Sequence, residues 1–168
     1  MKKLRFAARI LLPFFVLIGL VSCKNTIDEM DIKGYRYVLS RIDDPDKNQL
    51  YLYPYGCFTY KLDFAASGNA VVRTISTWDN EDDETEGTFS IDKTSVTISF
   101  PASEKNAGEK IGMPEENITL SYDKRSGSLV GYFNLPPVNS ITEELMDMAD
   151  NEPTRVYGQL SAISRVSE

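Results

Sequence analysis

Phe58, Tyr60, Leu62 and Phe64 alternate with Thr59, Lys61 and Asp63. A period of two is what a strand shows when one face is buried and the other is wet. Phe89 and Ile91, then Val96, Ile98 and Phe100, then Ile118, Leu120 and Tyr122 repeat it, with Ser or Thr between them. The pattern predicts strands near 34–42, 49–54, 57–66, 69–78, 86–92, 94–100, 117–123, 127–134 and 154–164. The segments Ala66-Ser67-Gly68-Asn69, Asp92-Lys93 and Asp123-Lys124-Arg125-Ser126-Gly127 have hairpin length and composition, so the strands they join run antiparallel in chain order. An open meander of this size would expose two edges, and closure removes both. The expected fold is therefore all-β, an antiparallel up-and-down β-barrel of about eight or nine strands.

Two segments depart from the alternation. Residues 101–116 form a polar stretch with Gly108, Gly112 and Pro114, longer than a plain hairpin needs, and read as a lid. Residues 135–153 open on Leu135-Pro136-Pro137, and within them Ser140-Ile141-Thr142-Glu143 has the form of a capping box. This predicts one short helix near the C-terminus, with Ile141, Leu145, Met148 and Ala149 on one face, covering the wall or one end of the barrel.

The front of the chain follows another logic. Lys2, Lys3, Arg5 and Arg9 precede an apolar run from Ile10 to Val21, interrupted by Pro13 and shorter than the ~20 residues a spanning helix needs. Leu20-Val21-Ser22-Cys23 resembles the lipobox of bacterial lipoproteins, in which the cysteine is lipidated and becomes the first residue of the mature chain. That resemblance divides the chain into a signal peptide over 1–22, lipidated Cys23 with a polar tether over 23–33, and a barrel domain over 34–168. It places the protein on the outer membrane, held by lipid and facing the periplasm or the cell surface. The acidic cluster Asp28, Glu29 and Asp31 resembles the stretch that sends some such lipoproteins to the surface.

Within the body, Gly34-Tyr35-Arg36-Tyr37, then Tyr60 to Asn69 with its Ala66-Ser67-Gly68 turn, then Glu86-Gly87-Thr88-Phe89-Ser90-Ile91-Asp92 leading into Val96-Thr97-Ile98, resemble the lipocalin-like (calycin-like) lipoproteins of Gram-negative bacteria. The family places Trp after the first-strand glycine, where this chain has Tyr35 or Tyr37, and its sole Trp is Trp78. The resemblance implies an up-and-down barrel able to hold a small apolar ligand, and carries over no specific site.

Composition narrows the chemistry. Loss of the four basic residues in the leader takes the net charge from −7 to about −11, against an unchanged 25 Asp and Glu. Such a surface repels nucleic acid phosphates and anionic headgroups, so membrane attachment falls to the lipid on Cys23. With Cys23 acylated, only Cys57 remains, so an internal disulfide is excluded and Cys57 reads as a small buried hydrophobe. The chain has no histidine. That removes Ser-His-Asp and Cys-His nucleophilic systems, His-ligated zinc and the commonest general base.

The acidic run Asp79 to Glu86 invites a calcium reading, but an EF-type loop starting at Asp79 meets Glu84 where Gly is needed and Ser90 where Glu is needed. Starting at Asp44, it meets Gln49 and Tyr55. Both runs read as solvated turns. Adjacent carboxylates Glu115-Glu116 and Glu143-Glu144 are poorly arranged to flank one glycosidic bond. No catalytic residue, metal site or cofactor is expected.

The excess is aromatic, with nine tyrosines and eight phenylalanines. Phe58, Tyr60, Phe64, Phe89, Phe100 and Tyr122 fall at inward positions and are the candidate lining for an apolar or amphipathic small ligand. Tyr51, Tyr53 and Tyr55 alternate with Leu50 and Leu52, giving one strand face made of tyrosine, the candidate surface for a partner protein. The sequence thus supports two expectations: a non-enzymatic binding protein for a small ligand, or an interaction module such as an inhibitor or envelope-complex subunit.

Overall fold

A computed structural model describes residues 26–52, 58–77, 83–103, 113–136 and 152–166. Eight strands follow one another: β1 (Tyr35–Ile42), β2 (Phe58–Phe64), β3 (Ala70–Thr77), β4 (Asp83–Asp92), β5 (Ser95–Phe100), β6 (Glu116–Asp123), β7 (Ser128–Leu135) and β8 (Thr154–Arg165). Each pairs antiparallel with its neighbour in sequence, and β1 pairs with β8, so the sheet closes into an up-and-down barrel. Inward residues such as Tyr60, Leu62, Ile98 and Leu120 are fully buried, while Thr97 and Thr119 face outward and are exposed.

Up-and-down order gives the barrel two unlike ends. The connections 65–69, 93–94 and 124–127 lie at one end together with the start of β1 and the finish of β8. All three are tight; Gly127 adopts φ 66, and its amide donates to the Asp123 carbonyl at 2.8 Å. At the opposite end β1, β3, β5 and β7 finish and β2, β4, β6 and β8 begin.

The tight end is packed solid. Tyr37 meets Phe64 edge-on at 5.6 Å, and Phe64 meets Phe89 edge-on at 5.0 Å. Each such contact adds ~0.5–1.5 kcal/mol beyond burial alone. Below them sits α1 (Glu29–Ile32), whose Ile32 is fully buried, and the Tyr37 hydroxyl donates to the Asp31 carbonyl at 2.9 Å. Residues 26–33 are therefore not the free tether that their polarity suggests. Asp28 and Asp31 form a capping box on α1, and the Ile27 amide donates to the Lys93 carbonyl at 2.8 Å.

Residues 49–52 of the strand predicted over 49–54 belong to a helix, α2 (Pro45–Leu52), and 53–54 lie outside the described residues. The reason is at its start: Asp44 Oδ1 accepts from the amides of Asp46 and Lys47 at 3.0 and 3.3 Å, and Pro45 takes the first helical position, where its missing N–H costs nothing. The barrel has eight strands, within the expected eight or nine. The predicted C-terminal helix with Ile141, Leu145, Met148 and Ala149 lies outside the described residues, as do Cys23, Cys57, Trp78, Tyr53 and Tyr55.

Candidate functional site

Alternation along β3 turns Val71, Arg73 and Ile75 inward, and all three are buried. Arg73 is completely enclosed, with 0% exposure. Its Nη1 donates to Glu116 Oε2 at 3.1 Å, so the pair spans from β3 to β6, two strands that are not neighbours. Its guanidinium carbon lies 4.5 Å from the centroid of the Phe100 ring, a cation–π stack from β5. Gly87 makes room for that ring: a Cβ there would fall 2.5 Å from Phe100 Cδ1 and from the Ser99 carbonyl.

Nε and Nη2 of Arg73 and the Tyr60 hydroxyl on β2 are buried and make no hydrogen bond of ordinary length, although the Tyr60 hydroxyl and the guanidinium stand near enough to act weakly on one another. Tyr60 lies close enough to Arg73 and Glu116 to feel both charges, and burial pushes its hydroxyl far above the ordinary tyrosine range. Its ring tilts against Phe133 of β7 at 5.1 Å. An unmet buried donor costs ~1–3 kcal/mol, more when it is charged. These groups converge in one layer of the barrel, toward the end at which β2 and β6 begin.

Glu116 is the hinge of this arrangement. The β6–β7 ladder runs from Asp123↔Ser128 only as far as Leu120↔Gly131, although β6 continues to Glu116 and β7 to Leu135. Above Gly131 the two strands part. Glu116 Oε1 crosses the opening and accepts from the Asn134 amide at 2.7 Å, in place of a ladder bond. On the outer side of the same seam runs a groove of about 580 Å³, lined among others by Glu116, Asn117, Thr119, Tyr132, Asn134 and Arg155. Glu116 therefore stands between this groove and Arg73. Desolvation raises its carboxyl above the ordinary range, against the opposing pull of the Asn134 amide, Arg73 and Arg155.

The six inward aromatics do not form one site. Tyr60 and Phe100 gather at Arg73, while Phe64 and Phe89 belong to the plug at the tight end. Phe58 packs on Tyr51 at 5.3 Å, and Tyr122 is half-buried near Asp31 and Tyr35 at the tight end. Tyr51 is not an exposed partner-binding residue: it is 2% exposed, and its hydroxyl donates to the Pro136 carbonyl at 2.8 Å. Tyr53 and Tyr55 lie outside the described residues. Among the described residues, the exposed tyrosines are Tyr132 and Tyr157, edge-on at 4.9 Å, with Arg155 over Tyr132.

The acidic run also differs from a simple solvated turn. Asp83 and Thr85 open β4 and point inward, buried, while Glu84 and Glu86 face solvent. Residues 79–82 lie outside the described residues. Among the described residues, no group of three His, Cys, Asp or Glu side chains is placed to hold a metal ion.

These features define a class: a closed eight-stranded antiparallel barrel, compatible with a lipocalin-like fold, carrying a buried polar cluster at one end. No family model, curated protein or solved structure matches the chain.

Proposed function

We propose that this is a lipid-anchored envelope protein of lipocalin-like type, non-enzymatic, whose barrel binds a small amphipathic molecule. The supporting observation is the buried polar cluster of Arg73 and Tyr60, whose Nε, Nη2 and hydroxyl make no hydrogen bond of ordinary length inside the barrel. A core under selection for stability alone favours satisfied or apolar groups at such positions. A ligand head with acceptor atoms satisfies them, while Phe100 and Phe133 offer ring surface beside it. Anchoring through Cys23 would hold the barrel at the outer membrane, where amphipathic molecules concentrate.

The test is native mass spectrometry of the full-length protein purified from an envelope, before and after organic extraction. An extractable adduct of a few hundred daltons that is lost with Arg73→Met supports the reading. A bare chain, or an adduct indifferent to Arg73, overturns it. The anchor is tested separately by radiolabelled palmitate, which should label the parent chain and not Cys23→Ser.

A further inference from the structure

The parted seam between β6 and β7 has an outer side as well as an inner one. On β6, Asn117 and Thr119 face outward and are exposed. Both are held from β5: Ser99 Oγ donates to Asn117 Oδ1 at 2.6 Å, and the Thr97 and Thr119 hydroxyls stand 3.2 Å apart. The Ser99 bond engages the amide oxygen and leaves the Asn117 Nδ2 group to donate elsewhere. On the other bank, Tyr132 of β7 and Tyr157 of β8 are register partners, 54% and 39% exposed. The Arg155 guanidinium carbon lies 5.2 Å from the centroid of the Tyr132 ring. One further step of the β6–β7 ladder would set Thr119 opposite Tyr132, and the ladder stops short of it. The groove of about 580 Å³ therefore opens between a polar bank and an aromatic one.

Single exposed apolar side chains are ordinary, but here two rings support one another inside a groove otherwise made of amides, hydroxyls and charges. An apolar chain laid there would strip water from Asn117, Thr119 and Asn134 without replacing its hydrogen bonds. An added peptide strand would find the Asn134 amide already taken, by Glu116 Oε1 at 2.7 Å. A pyranose suits both banks: its C–H face lies on a tyrosine ring, and its hydroxyls, each a donor and an acceptor, meet the amide and guanidinium groups. Charge then selects among saccharides. Arg73 answers Glu116 from the inner side, so at the groove Glu115 and Arg155 balance one another, on a chain whose net charge is −7. No surplus positive charge is left for an acidic sugar.

We infer that the outer groove along the β6–β7 seam binds a neutral pyranose oligosaccharide, with Tyr132 as the stacking platform and Asn117 and Arg155 as the groups that hold its hydroxyls. The site lies outside the barrel wall, so it is separate from the interior binding function proposed above and stands without it. Its volume falls in the ~300–1,000 Å³ range of small-ligand sites and admits a few sugar units. The groups are set in place beforehand, Asn117 by Ser99 and Tyr132 by Tyr157 and Arg155, so binding costs little side-chain freedom. External polysaccharide and the envelope's own glycans present this same chemistry, and their sugar units and linkages tell them apart.

The test is saturation-transfer difference NMR on the full-length protein, in a detergent whose head group is not a sugar. Cellohexaose and mannohexaose stand for external polysaccharide, chitohexaose for the N-acetylglucosamine chain of an envelope glycan, and hexagalacturonate is the acidic counterpart. At least one neutral probe should bind with a Kd below about 10 mM, and hexagalacturonate at least about tenfold more weakly than the best of them. Which neutral probe binds names the source. Tyr132→Ala should weaken that probe by at least about tenfold, Asn117→Ala by about threefold or more, and Tyr132→Phe, which keeps the ring, by less than about twofold. Ile163→Ala, an exposed apolar position near the finish of β8, should change nothing. Circular dichroism checks that each variant is folded. Absence of binding by every neutral probe, binding indifferent to both Tyr132→Ala and Asn117→Ala, or preference for hexagalacturonate overturns the inference. A Tyr132-dependent response to an extended peptide of alternating valine and threonine, with none to the saccharides, also overturns it and reassigns the seam to strand addition.

Discussion

Arg73 and Glu116 meet at 3.1 Å inside the barrel although three strand-to-strand steps separate β3 from β6 around the wall. Their side chains are 0% and 5% exposed. A pair so placed has shed its water and is held by one direct hydrogen bond, the Asn134 amide and the Phe100 ring. Two of the guanidinium's three nitrogens make no hydrogen bond of ordinary length, so the pair is a poor device for stability.

Removing the two members should show this. Arg73→Met alone should cost about 3 kcal/mol or more at pH 8, because it leaves the Glu116 carboxylate buried with the Asn134 amide as its remaining partner. The double variant Arg73→Met with Glu116→Gln should recover to the stability of the parent chain or exceed it. Urea unfolding of the four proteins in the cycle measures both; a double variant as weak as Arg73→Met would show the pair to be a net structural support.

The pH dependence has a definite sign. Burial raises the folded-state carboxyl of Glu116 above its ordinary value of 4.5. Its contribution to stability is therefore fully present below that value and is lost as pH rises through the raised folded value. Glu116→Gln stays neutral throughout, so its Tm relative to the parent should climb as pH rises from about 4.5. Paired thermal melts from pH 4 to pH 8 check this, and a flat difference would refute it.

Tyr51 separates a surface role from a core role. Its hydroxyl holds the Pro136 carbonyl and its ring packs on Phe58. Tyr51→Phe should cost about 1 kcal/mol and Tyr51→Ala about 3 kcal/mol in chemical denaturation. A surface tyrosine awaiting a partner would change neither.

Gly87→Ala tests the seat of the cation–π stack. The added Cβ would fall 2.5 Å from Phe100 Cδ1 and the Ser99 carbonyl. The expected loss is about 1–3 kcal/mol, as for an overpacked core, with weakened binding of any ligand held by Arg73. Unchanged stability would mean that β4 and β5 separate more easily than their ladder indicates.

Much of the site was within reach of alternation, and the rest was not. Val71, Arg73 and Ile75 share a parity, as do Glu116, Ile118 and Leu120, so each charge stands at an inward position of an otherwise apolar face. Starting β6 at 117 leaves Glu116 outside the strand and makes it look like half of an exposed acidic pair; one residue decides the matter. That Arg73 finds Glu116, and that β6 and β7 part above Gly131, depends on closure and on where the ladder stops. Tyr51 misled for a local reason: Leu50-Tyr51-Leu52-Tyr53 reads as a strand until Asp44 and Pro45 are recognised as a helix start.

By itself the sequence determined the all-β class, the strand order through its short turns, and the inward aromatics, because period and turn chemistry are local properties of the chain. Tertiary structure alone decided that residues 26–33 close one end, that Tyr51 is buried, and that Arg73 meets Glu116 inside the barrel. Those depend on which residues meet across the interior, and no local pattern encodes the distance between two strands that never touch.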